Sequence, residues 1–261
     1  MTFSVQAAVL QFPVTMDVAA NIASLAAGIE RLPSGVLAIA PEGALSGYQP
    51  RPGFVTDLDT NATAHAVEVV RSLVANKRMH LVVGACVFAD EVWRNASFYL
   101  GPQGQMHRYD KVNLAQSERG TFTPGNHLPV FEIEHDGGSF RLGIQMCREI
   151  RYPEQWRLLA SRGAQVIAYV NNAVGSTTGH EVWRAHMISR AAETQRFVVG
   201  ANNAAADQTC PSMIVAPSGA VLAELRIGVE STALAMLPIS EVSDWVISQA
   251  RADVVFVGPA G

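Results

Sequence analysis

Long apolar runs are missing from this sequence, and so are clusters of positive charge. No apolar segment is long enough to span a bilayer, so we predict no membrane-spanning helix. Lysine and arginine total 19 against 23 aspartates and glutamates, which gives a formal charge of −4, and they form no basic run. This charge gives no electrostatic reason to expect a nucleic acid or an anionic membrane as a partner.

Cysteine is scarce, and the usual metal-binding patterns are absent. The three cysteines, Cys86, Cys147 and Cys210, are widely spaced and odd in number, which is simplest for a reduced, cytoplasmic protein. The N-terminus also lacks the basic region of a signal peptide. Because the seven histidines form no His-x-x-x-His pair and no Cys-x-x-Cys is present, we expect neither a metal nor another cofactor.

Short apolar, β-branched runs separated by helical patterns make up most of the chain. Hydrophobic residues reach 49% and charged residues 16%, which is typical of a globular protein. Helical periodicity follows Asp17, recurs around Val70, and fits residues 153–162 and 181–193. About twelve strands are predicted, at residues 5–11, 36–40, 80–88, 96–100, 105–109, 130–133, 140–146, 166–170, 197–201, 212–215, 221–225 and 232–237.

The two halves of the chain repeat one order of elements. Each half begins strand–helix–strand–helix and continues with several strands, which predicts an α/β fold of two stacked sheets with helices outside. No linker interrupts the pattern, so we predict one domain over residues 1–261.

The segment around Cys147 has the pattern of a nucleophile turn. An apolar run at residues 140–146 ends at Cys147, charged residues follow, and Pro153 suits the first turn of a helix. A thiol at a strand–turn–helix junction is accessible to a ligand at the carboxyl end of the strand. A free thiol, with a pKa near ~8.5, needs a base or a nearby cation to react at neutral pH.

Two charged residues also follow predicted strands. Glu42 comes after residues 36–40, where partial burial would raise the pKa of a carboxyl toward that of a general base. Lys111 follows residues 105–109 and is able to neutralise an oxyanion. Each residue alone is more often an ordinary surface side chain. Together with Cys147 they supply a base, a cation and a nucleophile, whereas no histidine is placed as the partner of the cysteine.

Motif-like stretches occur in a fixed order along nearly the whole chain. They are residues 8–12 with Asp17 and Asn21, 40–42 with 46–48, 109–114, 118–125, 147–154, 190–193 and 212–219. In this order they resemble the motifs of the nitrilase superfamily of carbon–nitrogen hydrolases, whose members share a Glu-Lys-Cys triad. The resemblance implies a four-layer α-β-β-α sandwich of two mostly six-stranded sheets, and a homodimer or higher homo-oligomer.

The same resemblance implies roles for individual residues. Cys147 would be the nucleophile, Glu42 the general base and acid, and Lys111 the stabiliser of the tetrahedral intermediate. The backbone N–H of Arg148 would be a second oxyanion donor, and Glu118 would bond near Lys111 and help to position the substrate amide. The expected pocket also includes further substrate-binding residues, namely Tyr48, Asn171 and Asn172.

Residues beside the nucleophile depart from the common family pattern. Glu149 replaces the usual Asp, and Arg148 replaces the usual Tyr or Trp. Arg148 or Arg151 would suit a substrate carboxylate, but an ion pair with Glu149 or Glu154 is the favoured interpretation.

The leading functional hypothesis is an amidase that cleaves a small amide to acid and ammonia through a cysteine thioester. An N-carbamoyl amidohydrolase and a nitrilase are close alternatives. A catalytically silent binding protein is the alternative from a different class, and the intact Glu42, Lys111 and Cys147 argue against it.

Overall fold

A computed structural model describes residues 3–175, 179–251 and 253, and these residues form twelve strands and five α-helices. The strands are β1 (Ser4–Gln11), β2 (Leu37–Ile39), β3 (His80–Ala89), β4 (Val92–Leu100), β5 (Met106–Asp110), β6 (Val130–His135), β7 (Gly138–Met146), β8 (Val166–Val170), β9 (Phe197–Ala201), β10 (Met213–Val215), β11 (Val221–Glu224) and β12 (Ser231–Pro238). The helices are α1 (Val18–Glu30), α2 (Thr60–Lys77), α3 (Pro153–Ser161), α4 (His180–Thr194) and α5 (Trp245–Ser248).

Two six-stranded sheets follow the same plan. The first has the order β12-β1-β2-β3-β4-β5 and the second the order β11-β10-β9-β8-β7-β6. In the first sheet β1, β2 and β3 are parallel, and in the second β7, β8 and β9 are parallel, while the outer strands pair antiparallel. The parallel centre of each sheet makes the carboxyl ends of its central strands point the same way, which favours a site at that edge.

Three apolar clusters define four layers. Inward-facing residues of both sheets, such as Val9 and Val82 of one and Ile144 and Val199 of the other, pack into the central cluster. The outer face of the first sheet packs against α1 and α2. The outer face of the second packs against α3 and α4. This arrangement confirms the predicted α-β-β-α sandwich of two six-stranded sheets.

The helices begin where the sequence indicates. The side chain of Asp17 caps α1 by accepting from Ala20 N, and Pro153 stands in the first turn of α3. Strand β4 begins at Val92, four residues before the predicted start at 96, because it pairs along its full length with β3 in a hairpin. None of the helices in the described part of the chain is both long and apolar enough to cross a membrane.

Candidate active site

Glu42 lies just beyond β2, at the edge where the two sheets face each other. Its backbone N–H donates to the carbonyl of Asn171, beyond β8 of the opposite sheet, at 3.0 Å. Gly84 of the neighbouring strand β3 leaves room for the Glu42 segment, since a Cβ there would lie 2.6 Å from the Glu42 Cα. The carboxyl ends of β2 and β8 are thereby held together, and the Glu42 side chain is fully buried.

Cys147 directly follows β7 and is the first residue of a 3-10 helix over Cys147–Arg151, which forms a tight turn. Its φ of 37° lies in the left-handed region, which a non-glycine residue adopts rarely and mostly at functional sites. Tyr169 OH donates to the Cys147 carbonyl at 2.7 Å and holds the turn. The sequence prediction of a strand, a sharp turn and a helix around this thiol is confirmed, and the thiol-bearing residue is 8% exposed.

Lys111 bridges two buried carboxylates. Its Nζ donates at 2.8 Å to Oε1 of Glu42 and at 2.8 Å to Oε1 of Glu118. All three side chains are essentially without solvent exposure. An ammonium has three N–H donors, so two are committed to carboxylates and one remains for a further acceptor.

Asn95 completes this network, and the sequence prediction missed it. The side-chain Nδ2 of Asn95 donates to Oε1 of Glu42 at 2.7 Å and to Oε1 of Glu118 at 2.8 Å. The backbone carbonyl of Asn95 accepts from Lys111 N at 2.9 Å. Asn95 lies one residue before the predicted start of its strand. An asparagine inside a buried strand is unusual, and a longer β4 prediction would have singled it out.

Tyr48 lies in the same network, as expected. Its hydroxyl donates to Oε1 of Glu118 at 2.9 Å, so that oxygen accepts from Tyr48, Asn95 and Lys111 together. Oε2 of Glu118 accepts from Ala115 N at 2.6 Å. These donors hold Glu118 in place behind Lys111.

Burial and charge move the pKa values of these groups in different directions. Burial raises the pKa of Glu42 above 4.5, although Lys111 acts against the rise. Burial would also raise the pKa of Glu118, but the charge and hydrogen bond of Lys111 hold it below 4.5. Burial lowers the pKa of Lys111, yet Glu118 and Glu42 outweigh it and the net pKa is well above 10.5. Of the two carboxyls, Glu42 is the better proton acceptor near neutral pH.

The Cys147 thiol is held in its neutral form. Burial, followed by the charge of Glu42, raises its pKa above the usual 9.0, and Lys111 and Arg148 only partly oppose this. A preformed thiolate is therefore disfavoured, so this sulfur would need a base to take its proton before it could act as a nucleophile.

Glu149 connects the nucleophile turn to the segment that carries Lys111. Its Oε1 accepts from Tyr109 OH at 2.7 Å, from Val112 N at 2.8 Å and from Asn113 N at 3.0 Å. Its Oε2 accepts from Met146 N at 2.8 Å. These four donors explain why an acidic residue is buried here.

The favoured interpretation of the two arginines is wrong. Within the described residues neither Arg148 nor Arg151 forms an ion pair with Glu149 or Glu154, because the Glu149 carboxylate faces backbone N–H groups instead. The Arg151 guanidinium lies 5.5 Å above the ring of Trp183. Arg148 is half-buried in the first turn of the 3-10 helix, where backbone N–H groups lack partners within the helix.

Asn171 and Asn172 both lie against Glu42, through different atoms. The Asn171 carbonyl accepts from Glu42 N, while its side-chain amide is buried without a partner in the described chain. Asn172 N donates to Oε2 of Glu42 at 3.0 Å. The structure thus brings Glu42, Lys111 and Glu118 into direct contact, and brings Tyr48, Asn171 and Asn172 around them. Within the described residues no group of three or more metal-ligating side chains occurs.

Comparison with known proteins gives consistent matches. A family model for carbon-nitrogen hydrolases matches residues 6–246. An (R)-stereoselective amidase of Pseudomonas sp is 29% identical over 60% of this chain, and the match spans 57% of that protein. A probable nitrilase of Schizosaccharomyces pombe is 24% identical over 84% of this chain and 83% of its own length. A mutant of the Nesterenkonia AN1 amidase from the nitrilase superfamily superposes with a TM-score of 0.81 at 22% identity, covering 95% of both chains.

Proposed function

Since the chain belongs to the carbon–nitrogen hydrolase family, we propose that it hydrolyses a small amide to an acid and ammonia through a thioester on Cys147. The observation that carries this proposal is the buried Lys111 ammonium, with two N–H donors on Glu42 and Glu118 and a third left for an oxyanion. The Pseudomonas and Nesterenkonia relatives, which are both described as amidases, support an amide as substrate.

The first half of the reaction forms the thioester. Glu42 takes the thiol proton as the Cys147 sulfur attacks the amide carbon, so no free thiolate is needed. The carbonyl electron pair moves onto oxygen, where the third N–H of Lys111 and the Arg148 N–H bind it. The intermediate collapses, the C–N bond breaks, and protonated Glu42 gives its proton to the departing ammonia.

The second half restores the enzyme. Water attacks the thioester carbon while Glu42 takes one of its protons, and the same donors bind the second oxyanion. The C–S bond then breaks to release the acid, and the sulfur recovers its proton from Glu42. No step calls for a redox change or a group from outside the chain and its substrates.

An ammonia-release screen over amides, N-carbamoyl compounds and nitriles tests this proposal. We expect release from amides by the wild type and none from Cys147→Ala. Release of carbon dioxide and an amine together with ammonia would identify an N-carbamoyl amidohydrolase, and turnover of nitriles alone would identify a nitrilase. Equal ammonia release by Cys147→Ala would overturn the mechanism, and no release by either protein would favour the silent binding protein.

We further propose that residues 1–261 form one domain and that the protein is cytoplasmic and a homodimer or higher homo-oligomer. The absence of a linker supports the first point, the three free cysteines support a reducing compartment, and the family resemblance supports the dimer. Sedimentation velocity at several concentrations tests the dimer, which a purely monomeric protein would contradict.

A further inference from the structure

The two oxygens of the Glu42 carboxylate have different surroundings. Oε1 accepts from Asn95 Nδ2 at 2.7 Å and from Lys111 Nζ at 2.8 Å. Oε2 accepts only one bond in the described chain, from Asn172 N at 3.0 Å. Oε1 thus accepts two hydrogen bonds and Oε2 accepts one, so Oε2 is the oxygen with more room for a proton.

A second set of contacts fixes Asn172 against Glu42. Glu42 N donates to the Asn171 carbonyl at 3.0 Å, and Asn172 Nδ2 donates to the Glu42 carbonyl at 3.4 Å. Together with the bond to Oε2, these contacts hold the backbone and the carboxylate of Glu42 to one short segment. The position of the Asn172 N–H therefore decides how strongly Oε2 is hydrogen-bonded.

Two further carboxamides hold the side chain of Asn172. Its Oδ1 accepts from Asn203 Nδ2 at 3.1 Å and from Gln208 Nε2 at 3.1 Å. All three residues are buried. Because two donors face Oδ1, the amide has one favourable orientation, with Nδ2 toward the Glu42 carbonyl.

Asn203 is itself fixed by the backbone. Its Oδ1 accepts from Val14 N and from Ala205 N, each at 3.0 Å, which leaves Nδ2 to face Asn172. The carboxamides thus form a chain that runs from the backbone, through Asn172, to the less engaged oxygen of Glu42.

We propose that Glu42 exchanges protons through Oε2, and that Asn203 and Gln208 set the basicity of this oxygen by holding Asn172. The inference rests on the proposed role of Glu42 as base. Asn203 and Gln208 are positioning residues, since they act on Glu42 only through Asn172. A hydrogen bond to a carboxylate favours its charged form, so weakening the bond to Oε2 raises the pH at which Glu42 becomes an active base.

Two variants separate this role from a general loss of structure. Gln208→Met keeps the length of the side chain and removes its donor to Asn172. Asn203→Asp keeps the acceptor for Val14 N and Ala205 N, and replaces only the donor that faces Asn172. Gln165→Met is the matched control, because Gln165 precedes the amino end of β8, far from Asn171 at the carboxyl end.

The pH dependence of Cys147 alkylation by iodoacetamide, followed by mass spectrometry of the peptide, is the readout. It requires no knowledge of the substrate. In the wild type the rate should rise through the pKa of Glu42 and then level off. For Gln208→Met the midpoint should move upward by about 0.5 to 1 pH unit, and for Asn203→Asp by at least as much. Gln165→Met should keep the wild-type midpoint.

An unchanged midpoint in folded Gln208→Met overturns the proposal, even if its rate is lower at every pH. A shift in Asn203→Asp alone also overturns it, since the added charge then explains the effect. If Gln208→Met does not fold, Gln208→Leu takes its place with the same expected shift. The Glu42→Gln variant distinguishes a failure of the proposed base from a failure of the positioning role. If this variant keeps the wild-type pH profile of alkylation, Glu42 is not the base. If it removes the rise of the rate with pH, Glu42 is the base, and the other variants test only the role of Asn203 and Gln208.

Discussion

At the scale of single residues, the site separates two carboxylates that contact one ammonium. Glu118 accepts four hydrogen bonds and keeps a low pKa, while Glu42 is more deeply desolvated and has a raised pKa. Environments that push the pKa values of neighbouring groups apart assign their roles in acid–base chemistry. Glu118 holds Lys111 in its charged form, and Glu42 is left for the proposed proton transfer to and from Cys147.

Glu149 provides a prediction at this scale. Glu149→Gln puts an NH2 group opposite at least one of the donors from Tyr109, Val112, Asn113 and Met146, so a buried donor loses its acceptor. We expect the free energy of unfolding to fall by about 2 kcal/mol in urea denaturation. The exposed Glu134→Gln is the control and should change it by less than about 0.5 kcal/mol. A Glu149→Gln protein as stable as the control would contradict this account.

The sequence predicted the charged members of the site better than the neutral ones. Glu42 and Cys147 each follow an apolar run, and such a position is visible in the sequence as a charge or thiol after that run. Lys111 follows the mixed strand β5, whose end is also visible in the sequence. Asn95 lies inside a strand, and its partners are 53 and 23 residues away, so only the folded chain shows why it is there. The sequence also could not predict the surroundings of Arg148, because they depend on which other groups contact Glu149.

At the scale of elements, the approach of β3 to the Glu42 segment controls the position of Glu42, the proposed base. Gly84→Ala adds a Cβ that would lie 2.6 Å from the Glu42 Cα and 2.9 Å from Gly43 N, both backbone atoms that cannot move aside. We expect kcat to fall about 100-fold, since a displacement of about 1 Å has effects of that size.

Gly28→Ala is the control for this change. Its Cβ would meet the flexible end of the Leu10 side chain at 3.1 Å, in α1 on the outside of the sheet. Its kcat should match that of the wild type in the same ammonia-release assay. Equal kcat values for Gly84→Ala and Gly28→Ala would show that the β3 contact does not position Glu42.

The amino end of β3 makes stability depend on pH. His80 is buried there, with Nδ1 2.8 Å from Tyr99 OH and its ring stacked 5.2 Å from that of His135. Burial, followed by the charge of His135, lowers its pKa from 6.5 to about 4, although Asp136 opposes this. The unfolded chain therefore binds a proton more readily, so stability is full above pH 6.5 and falls as the pH drops toward 4.

The expected loss from His80 is about 3 kcal/mol across that pH window. Urea denaturation at pH values between 7 and 4 measures it. His80→Asn should remove this part of the pH dependence, whereas the exposed His65→Asn should retain it. The account of His80 fails if the pH dependence of His80→Asn equals that of the wild type.

The order of elements was predictable, and some of their ends were not. All twelve predicted strands are present, because most of them are short apolar or β-branched runs bounded by turn residues. The early start of β4 depends on its pairing with β3 in space, which its own mixed sequence around Trp93 and Arg94 does not reveal. The single turn α5 is too short to produce a periodic pattern.

At the scale of the whole molecule, both sheets contribute to one central cluster. Residues of β1, β2 and β3 pack there against residues of β7, β8 and β9. If one sheet unfolds, the inner apolar face of the other becomes exposed to solvent. We therefore expect one cooperative unfolding transition for residues 1–261. Calorimetry should give a calorimetric enthalpy equal to the van't Hoff enthalpy. Two separable transitions would contradict the prediction of a single domain.

The site exists only because the two sheets are stacked. Glu42 and Lys111 come from the first sheet, and Cys147, Asn171 and Asn172 from the second, and the contacts of Glu42 with Asn171 and Asn172 join them. The central claim is that the residues brought together where the two sheets meet activate the Cys147 thiol toward an amide carbon.

Mass spectrometry of the protein quenched with acid during turnover of an amide tests that claim most directly. The account predicts an acyl group on the peptide that contains Cys147, absent from Cys86 and Cys210, and lost on further incubation as acid is released. The Cys147→Ala variant should show neither adduct nor ammonia. Steady ammonia release from an amide with no acyl group on Cys147, and with equal turnover by Cys147→Ala, would contradict the account.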